Sequence, residues 1–206
     1  MKSLTSLKTE LSAKHGIGQY RPGALPRALG LIALISFATT SWSQPTHPAL
    51  EVVLKTLDAP DSFAKDFETK VWLMDMSTRL SKFIKDPEDR FELLQLVYKE
   101  AKQADLPPEL ILALIHTEST FDQYAVSSAG AQGLMQIMPF WKYVIGQKQD
   151  NLLSLQTNIR YGVEILRHYL EKENGDLTRA LARYNGSLGK TWYPERVFTN
   201  LERHWQ

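Results

Sequence analysis

The chain of 206 residues contains no cysteine. This absence excludes disulfide bonds, thiolate metal sites and a lipid-modified N-terminal cysteine, so an exported form of the protein must be held together by packing alone. A strong excess of charge is also lacking, since 24 basic and 23 acidic residues leave a formal net charge of +1. Nothing in this balance indicates nucleic acid as a partner.

Long apolar runs are scarce. Residues 28–38 form an unbroken apolar run that is too short to span a bilayer comfortably. The run follows Arg21 and Arg27 and precedes small residues around Ser43, the order found in secretory signals. The sequence predicts a signal peptide over residues 1–43, with an uncleaved membrane anchor as the alternative. Its removal changes the net charge to −3, and no membrane span is expected in the mature chain.

The apolar residues are spaced as in helices, and no alternating strand pattern of convincing length occurs. An apolar share of 43% is ample for a packed core. The predicted fold class is mainly α. An N-terminal helical segment over residues 44–104 is predicted to pack on a domain over residues 105–206, with at most a short hairpin around residues 125–138.

An amphipathic helix is predicted from about residue 61 to residue 84. Its apolar residues recur at three- and four-residue spacing, which predicts one core-facing side made of Phe63, Phe67, Val71, Met74, Leu80, Phe83 and Ile84. Asp86 and Pro87 are typical of a helix start, and this next helix is expected to end near Gln103.

Further start and stop signals predict three more helices. The first follows Pro107, the second covers about residues 154–172, and the third is capped by Asp176. The helix after Pro107 carries the apolar residues 110–115 and places Glu118 at its end, beside a loop. Burial disfavours the charged form of a carboxyl group, so Glu118 is expected to be a proton donor near neutral pH. Such a site suits general acid chemistry.

Four segments stand in a distinctive order. They are Glu118-Ser119-x-Phe121, Ala125-Val126-Ser127, the run from Gly130 to Pro139 (Gly-Ala-x-Gly-Leu-Met-Gln-Ile-Met-Pro), and Tyr184-Asn185-Gly186. From about residue 105 to about residue 197 the chain therefore resembles the soluble-type (SLT-domain) lytic transglycosylase family of the lysozyme-like superfamily. Departures occur at Phe140-Trp141-Lys142 and at Gly186-Ser187-Leu188-Gly189. These departures concern details of the sugar subsites.

The resemblance implies a cofactor-free enzyme with a lysozyme-like domain, exported to the periplasm or cell envelope. It implies cleavage of peptidoglycan glycan strands between N-acetylmuramic acid and N-acetylglucosamine. Glu118 would act first as acid and then as base, with help from the acetamido group of the substrate, and leave 1,6-anhydromuramic acid ends. The resemblance also implies that Tyr184 and Ser127 are catalytic residues that support Glu118. The Tyr184 hydroxyl would point at Glu118, and Ser127 would lie near the carboxyl group, where its hydroxyl can tune the protonation of Glu118 or hold the acetamido group.

The same resemblance assigns substrate-binding roles to Gln136, Met138 and Asn185. No metal is expected, because the histidines do not show the spacing of metal-ligand motifs. Asp122 is the nearest candidate for a second carboxylate, which ordinary retaining glycosidases hold about 5 Å from the acid. An aspartate near a helix end is more often a cap or a solvated residue, and the resemblance assigns none.

Two other functions stay open from the residues alone. A goose-type lysozyme-like enzyme would hydrolyse the same bond with water. A wall-binding module would keep the fold without turnover. The sequence identifies no protein partner in the cell-wall machinery.

Overall fold

Helices form the framework of residues 67–206, the part of the chain that the structure, a computed structural model, describes. They are α1 (Phe67–Leu80), α2 (Pro87–Gln103), α3 (Pro108–Ser119), α4 (Lys142–Ile145), α5 (Leu155–Lys172), α6 (Leu177–Tyr184) and α7 (Trp192–Asn200), with a 3₁₀ turn at Pro139–Trp141 and a π-helical turn at Leu201–Trp205. In this range no strand forms, and two isolated antiparallel bridges, Val126 with Gln132 and Gln132 with Ile137, lie where a hairpin was predicted. The mainly α prediction is confirmed.

Most of the predicted helix ends are confirmed. The Asp86 carboxylate caps α2 by accepting from the N–H groups of Glu88 and Asp89, at 2.8 and 3.1 Å. Asp176 caps α6 in the same way through the N–H of Arg179. Short polar side chains at such positions satisfy N–H groups that have no partner inside the helix. The predicted signal peptide and residues 44–66 lie outside the described residues.

Helix α3 is the centre of the core. Residues 110–115 are at most 3% exposed, because α2, α7 and the π-helical turn all pack on this helix. A helix that is apolar on all sides must be buried. The chain becomes half-buried just after this stretch, so the end of α3, with Glu118, lies at the edge of the core.

The prediction for the core-facing side of α1 was wrong for its first part. Phe67, Val71 and Met74 are 76%, 50% and 47% exposed, whereas Leu73 and Met76 are buried. Two buried polar residues explain the rotation: Thr69 bonds to the Tyr98 hydroxyl, and Ser77 accepts from the buried Arg90 on α2. These polar contacts turn a different side of α1 inward.

An apolar groove of about 610 Å³ lies beside α1. Phe67, Val71 and Trp72 line it on one side, and Leu110 and Leu201 on another. None of the site residues predicted from the sequence lines this groove. Among the described residues, no helix is both long and apolar enough to cross a membrane.

Helices α5 and α6 pack against each other and form the other side of the domain, where α5 also contacts α2. The buried Glu173, just after α5, pairs with Arg179 and Arg183 of α6. A buried carboxylate with two guanidinium partners holds the two helices in a defined register. This pairing places Tyr184, the last residue of α6, against the loop that follows α3.

Candidate active site

Glu118 is the penultimate residue of α3. The chain turns sharply just after it, since Thr120 and Phe121 both lie in the left-handed region, at φ 53° and 66°. This conformation is unfavourable for a β-branched residue such as Thr120. Phe121 offsets that cost by packing against Phe83 and Trp205, with ring centroids 5.0 and 5.3 Å away. The turn ends the helix one residue after Glu118, whose carboxyl group meets Tyr193 of α7.

Burial raises the pKa of Glu118 from 4.5 to about 7. Two groups oppose this shift less strongly: the Tyr193 hydroxyl, which donates a hydrogen bond, and the Arg196 guanidinium. The last turn of a helix is also the negative end of its dipole, where an anion is disfavoured. Near neutral pH, Glu118 therefore exists in both its protonated and its ionised forms, as the sequence predicts.

Tyr193, at the start of α7, is the hydrogen-bond partner of Glu118. Its hydroxyl donates to Oε1 of the carboxyl group, and its side chain is 1% exposed. Burial and the neighbouring Glu118 carboxyl group raise the pKa of the Tyr193 hydroxyl, so it remains protonated and able to donate. Asn200, near the other end of α7, donates to Oγ1 of Thr117 at 2.9 Å. Two hydrogen bonds therefore hold α7 against the end of α3.

The Tyr184 hydroxyl has a different partner from the one expected from the sequence. It donates to the backbone carbonyl of Met135 at 2.8 Å, and the hydroxyl that donates to Glu118 belongs to Tyr193. Burial, and after it the charge of Glu118, raise the pKa of the Tyr184 hydroxyl, so the acid acts on this tyrosine through its charge. The role of Tyr184 beside Glu118 stays a prediction.

Gln136 and Met138 lie on the loop that Tyr184 contacts. The amide nitrogen of Gln136 donates to the carbonyls of Gly133 and Ala125, at 2.9 and 3.2 Å. These donors are therefore used inside the loop. Met138 is half-buried against the core, whereas Leu134, Met135 and Ile137 are buried as the packing residues of this loop.

Ser127 and Asn185 occupy turns. The Ser127 hydroxyl accepts from the N–H of Ala131 at 3.0 Å, in a turn that also contains Gly130 at φ 87°. Asn185 caps the end of α6 and is exposed. Ser127 makes no hydrogen bond to Glu118 among the contacts of the described residues, and its predicted role, like that of Asn185, stays a prediction.

Asp122 does not contribute a second carboxylate to the site. It is exposed, and its side chain accepts from the N–H of Tyr124 at 2.9 Å in a local turn. Within residues 67–206, Arg196 is the charged residue that acts on the Glu118 pKa, and no acidic side chain acts on it. The candidate site is therefore built around one carboxyl group.

His116 is half-buried beside the core. Its ring packs between Phe83, Phe121 and Trp205, and burial followed by the charge of His204 lowers its pKa. Among residues 67–206, no group of three or more histidine, aspartate or glutamate side chains lies close enough to hold a metal ion.

Three residues of the site were missed by sequence reasoning: Tyr193, Arg196 and Asn158. Asn158 is 1% exposed and bonds to the loop that carries Gln136. A polar residue on the buried side of α5, beside Ile159 and Gly162, is a signal that the sequence contained. No such signal marks Tyr193, because an aromatic residue at a buried helix position is usually packing.

These features define a class of protein: a helical domain with one buried, protonatable carboxyl group held by a neutral tyrosine. The transglycosylase SLT domain family model matches residues 95–203, more than half of the chain. The chain therefore belongs to the transglycosylase SLT domain family. The match begins inside α2, upstream of the predicted domain boundary at residue 105, which stays a prediction.

Two relatives share part of this sequence. A transglycosylase of Enterobacteria phage PRD1 is 33% identical over 106 residues, which are 48% of this chain and 39% of the phage protein. A membrane-bound lytic murein transglycosylase C of Actinobacillus pleuropneumoniae serotype 5b (strain L20) is 50% identical over 48 residues, 23% of this chain and 13% of that protein. The chain spans well under half the length of these relatives.

Two solved lytic transglycosylase structures align with part of this chain. The lytic transglycosylase Slt of Pseudomonas aeruginosa aligns over 73% of this chain and 32% of its own, with 22% identity and a TM-score of 0.42. The 70-kDa soluble lytic transglycosylase in complex with bulgecin A aligns over 78% of this chain and 26% of its own, with the same identity and TM-score. The family assignment depends on the sequence match.

Proposed function

We propose that the chain is a peptidoglycan lytic transglycosylase, which cleaves the β-1,4 bond between N-acetylmuramic acid and N-acetylglucosamine and leaves 1,6-anhydromuramic acid ends. The observation that carries this proposal is the state of Glu118: a buried carboxyl group with a pKa of about 7, one tyrosine donor and, among residues 67–206, no second carboxylate beside it. Membership of the SLT domain family supports the choice of reaction.

In the first step, protonated Glu118 donates its proton to the glycosidic oxygen while the bond between C1 and that oxygen breaks. The positive charge at C1 needs a partner, and ordinary retaining enzymes supply a second carboxylate. Since residues 67–206 place no such carboxylate beside Glu118, the acetamido group of the substrate is proposed to take this role. The Tyr193 hydroxyl stabilises the Glu118 carboxylate formed in this step, because it donates to Oε1.

In the second step, the Glu118 carboxylate removes the proton from the C6 hydroxyl of the muramic acid. The C6 oxygen then bonds to C1, which forms the anhydro ring and restores the protonated carboxyl group. A pKa near the working pH suits both steps, since one group must donate and later accept a proton.

The remaining predicted residues complete the proposed site. Ser127 is proposed to act near the acetamido group, and Gln136, Met138 and Asn185 to contact the sugars. Each is expected to lower substrate affinity when truncated to alanine, with a smaller effect on the pH dependence than changes at Tyr193. Separate measurements of KM and of the pH dependence for each variant test these roles.

Peptidoglycan lies outside the cytoplasm, so we also propose export to the periplasm or cell envelope through residues 1–43. The N-terminal sequence of protein purified from its native host tests this. A mature chain starting near Gln44 supports export, whereas intact residues 1–43 in the membrane fraction would favour an anchor.

Mass spectrometry of a peptidoglycan digest tests the reaction. We expect 1,6-anhydromuramic acid ends as the main product. A majority of reducing, hydrated muramic acid ends would mean hydrolysis of the same bond by a goose-type lysozyme reaction. Glycan binding without any cleavage would mean a wall-binding module.

A further inference from the structure

The backbone of Met135 is held from two helices at once. Its N–H donates to Oδ1 of Asn158 on α5 at 2.8 Å, and its carbonyl accepts from the Tyr184 hydroxyl on α6 at 2.8 Å. Met135 itself is fully buried. Both hydrogen bonds of one residue are thus made by side chains that are distant in sequence.

Asn158 contacts more of the same loop. Its Nδ2 donates to the carbonyls of Gln132 and Leu152, at 2.8 and 2.7 Å, so one buried amide makes three hydrogen bonds. The loop approaches so closely that a Cβ on Gly133 would lie 2.3 Å from Nδ2 of Asn158. Gly133 is also at φ 77°, so glycine is needed for both reasons.

The held loop is compact and carries the predicted sugar contacts. Gln132 and Ile137 exchange two backbone hydrogen bonds, at 3.0 and 2.9 Å, and Gln136 lies between them at φ 50°. Gln136 and Met138 follow directly on Met135, so their position depends on the position of the Met135 backbone. We call residues 132–138 the clamped loop.

We infer that Asn158 and Tyr184 are positioning residues that hold the clamped loop at a fixed place, so that it is preformed for a glycan strand. This inference rests on the proposed function for the identity of the ligand. It assigns Tyr184 to substrate affinity and leaves the protonation of Glu118 to Tyr193. A preformed loop binds more tightly because less conformational freedom is lost on binding.

The main test is the variant Tyr184→Phe, which keeps the ring and removes the hydroxyl. We expect KM for soluble glycan strands to rise about three- to tenfold, the loss typical of one hydrogen bond. We expect kcat to change by less than about twofold and its pH profile to stay in place. The lost contact helps to bind the substrate and the transition state equally, and the acid catalysis by Glu118 is kept.

Tyr161→Phe is the matched control. Tyr161 is a buried tyrosine of α5 whose hydroxyl donates to Asp150, outside the clamped loop. It tests the loss of a buried hydroxyl as such, and we expect wild-type KM. Unchanged KM in Tyr184→Phe would overturn the inference. A lower kcat with a displaced pH profile would also overturn it, since Tyr184 would then act on the Glu118 proton.

A second variant, Asn158→Ala, removes the side chain that accepts the hydrogen bond from the Met135 N–H. We expect faster hydrogen exchange at the Met135 amide than in wild-type protein and a rise in KM at temperatures where the variant is folded. Wild-type exchange at this amide would contradict the role of Asn158. Lower thermal stability accompanied by wild-type KM would reduce Asn158 to a structural residue.

Binding without turnover separates this inference from the proposed function. Soluble glycan strands are titrated into Glu118→Gln and into Glu118→Gln combined with Tyr184→Phe. Weaker binding by the double variant supports the inference even if the wild-type protein forms no anhydro product, a result that would overturn the proposed reaction. Equal binding by the two variants, or no binding by either, overturns the inference.

Discussion

Two buried tyrosine hydroxyls close to Glu118 make different contacts. Tyr193 of α7 donates to the carboxyl group itself, whereas Tyr184 of α6 donates to the backbone of the clamped loop. Only Tyr184 belongs to a recognisable motif, yet Tyr193 is the direct partner of the acid. A motif therefore identifies residues that lie near the acid, while the contacts among them depend on how the helices pack.

The largest effect is expected for Glu118→Gln, which removes the proton of the proposed acid and leaves both tyrosines without a carboxyl group beside them. Activity should fall by about a hundredfold or more, because the amide keeps the shape but cannot donate the proton. The exposed Glu195 on α7 is the control, and Glu195→Gln should retain wild-type turnover. Near-wild-type turnover by Glu118→Gln in the peptidoglycan assay would remove Glu118 from the acid role.

The same variant should change stability in a pH-dependent way. The pKa of Glu118 is about 7 in the folded protein against 4.5 for a solvated carboxyl group, so the folded state holds this proton more tightly. The wild-type protein therefore loses stability as pH rises from 4.5 to 7, by about 3 kcal/mol from this group. Urea unfolding at pH 8 should show Glu118→Gln to be more stable, with a smaller difference near pH 4.5.

Tyr193→Phe is expected to have an intermediate effect that sharpens the contrast with Tyr184→Phe. The rate should fall about tenfold, because the carboxylate formed in the first step loses its hydrogen bond. The acid is active while protonated, so wild-type activity is lost as pH rises through about 7. The hydrogen bond from Tyr193 lowers the pKa of Glu118, so its removal raises that pKa further. The loss of activity then occurs at higher pH.

The pH profiles of kcat for Tyr193→Phe, Tyr184→Phe and the control Tyr161→Phe measure this difference. Only the profile of Tyr193→Phe should be displaced. If the profile of Tyr184→Phe is displaced and that of Tyr193→Phe is not, the assignment of the two tyrosines is reversed.

The smallest effect is expected for Arg196→Gln. Arg196 is exposed, and its charge is the weakest of the causes that act on the Glu118 pKa. The loss of activity should again move to higher pH, with a change in rate of less than about threefold, because exposed charges are screened by solvent. Added salt should reproduce the displacement in wild-type protein and have less effect in the variant. Arg203→Gln, an exposed change elsewhere, should leave the profile unchanged.

Local signals predicted the helix ends well and one helix face poorly. Asp86 and Asp176 cap their helices through contacts two or three residues away, so the sequence contains all the information required. The orientation of α1 depends instead on Tyr98 and Arg90 of α2, which bond to its polar residues. Spacing of apolar residues could not reveal these partners.

The raised pKa of Glu118 could be predicted without coordinates, because a carboxyl group that closely follows the apolar stretch 110–115 lies beside the core, where burial disfavours its charged form. The family could also be recognised from its motifs alone. Which tyrosine donates to the acid, and which to the loop, depends on the tertiary structure. Tyr193 lies 75 residues from Glu118 and Tyr184 lies 49 from Met135, so both contacts depend on packing among α3, α6 and α7.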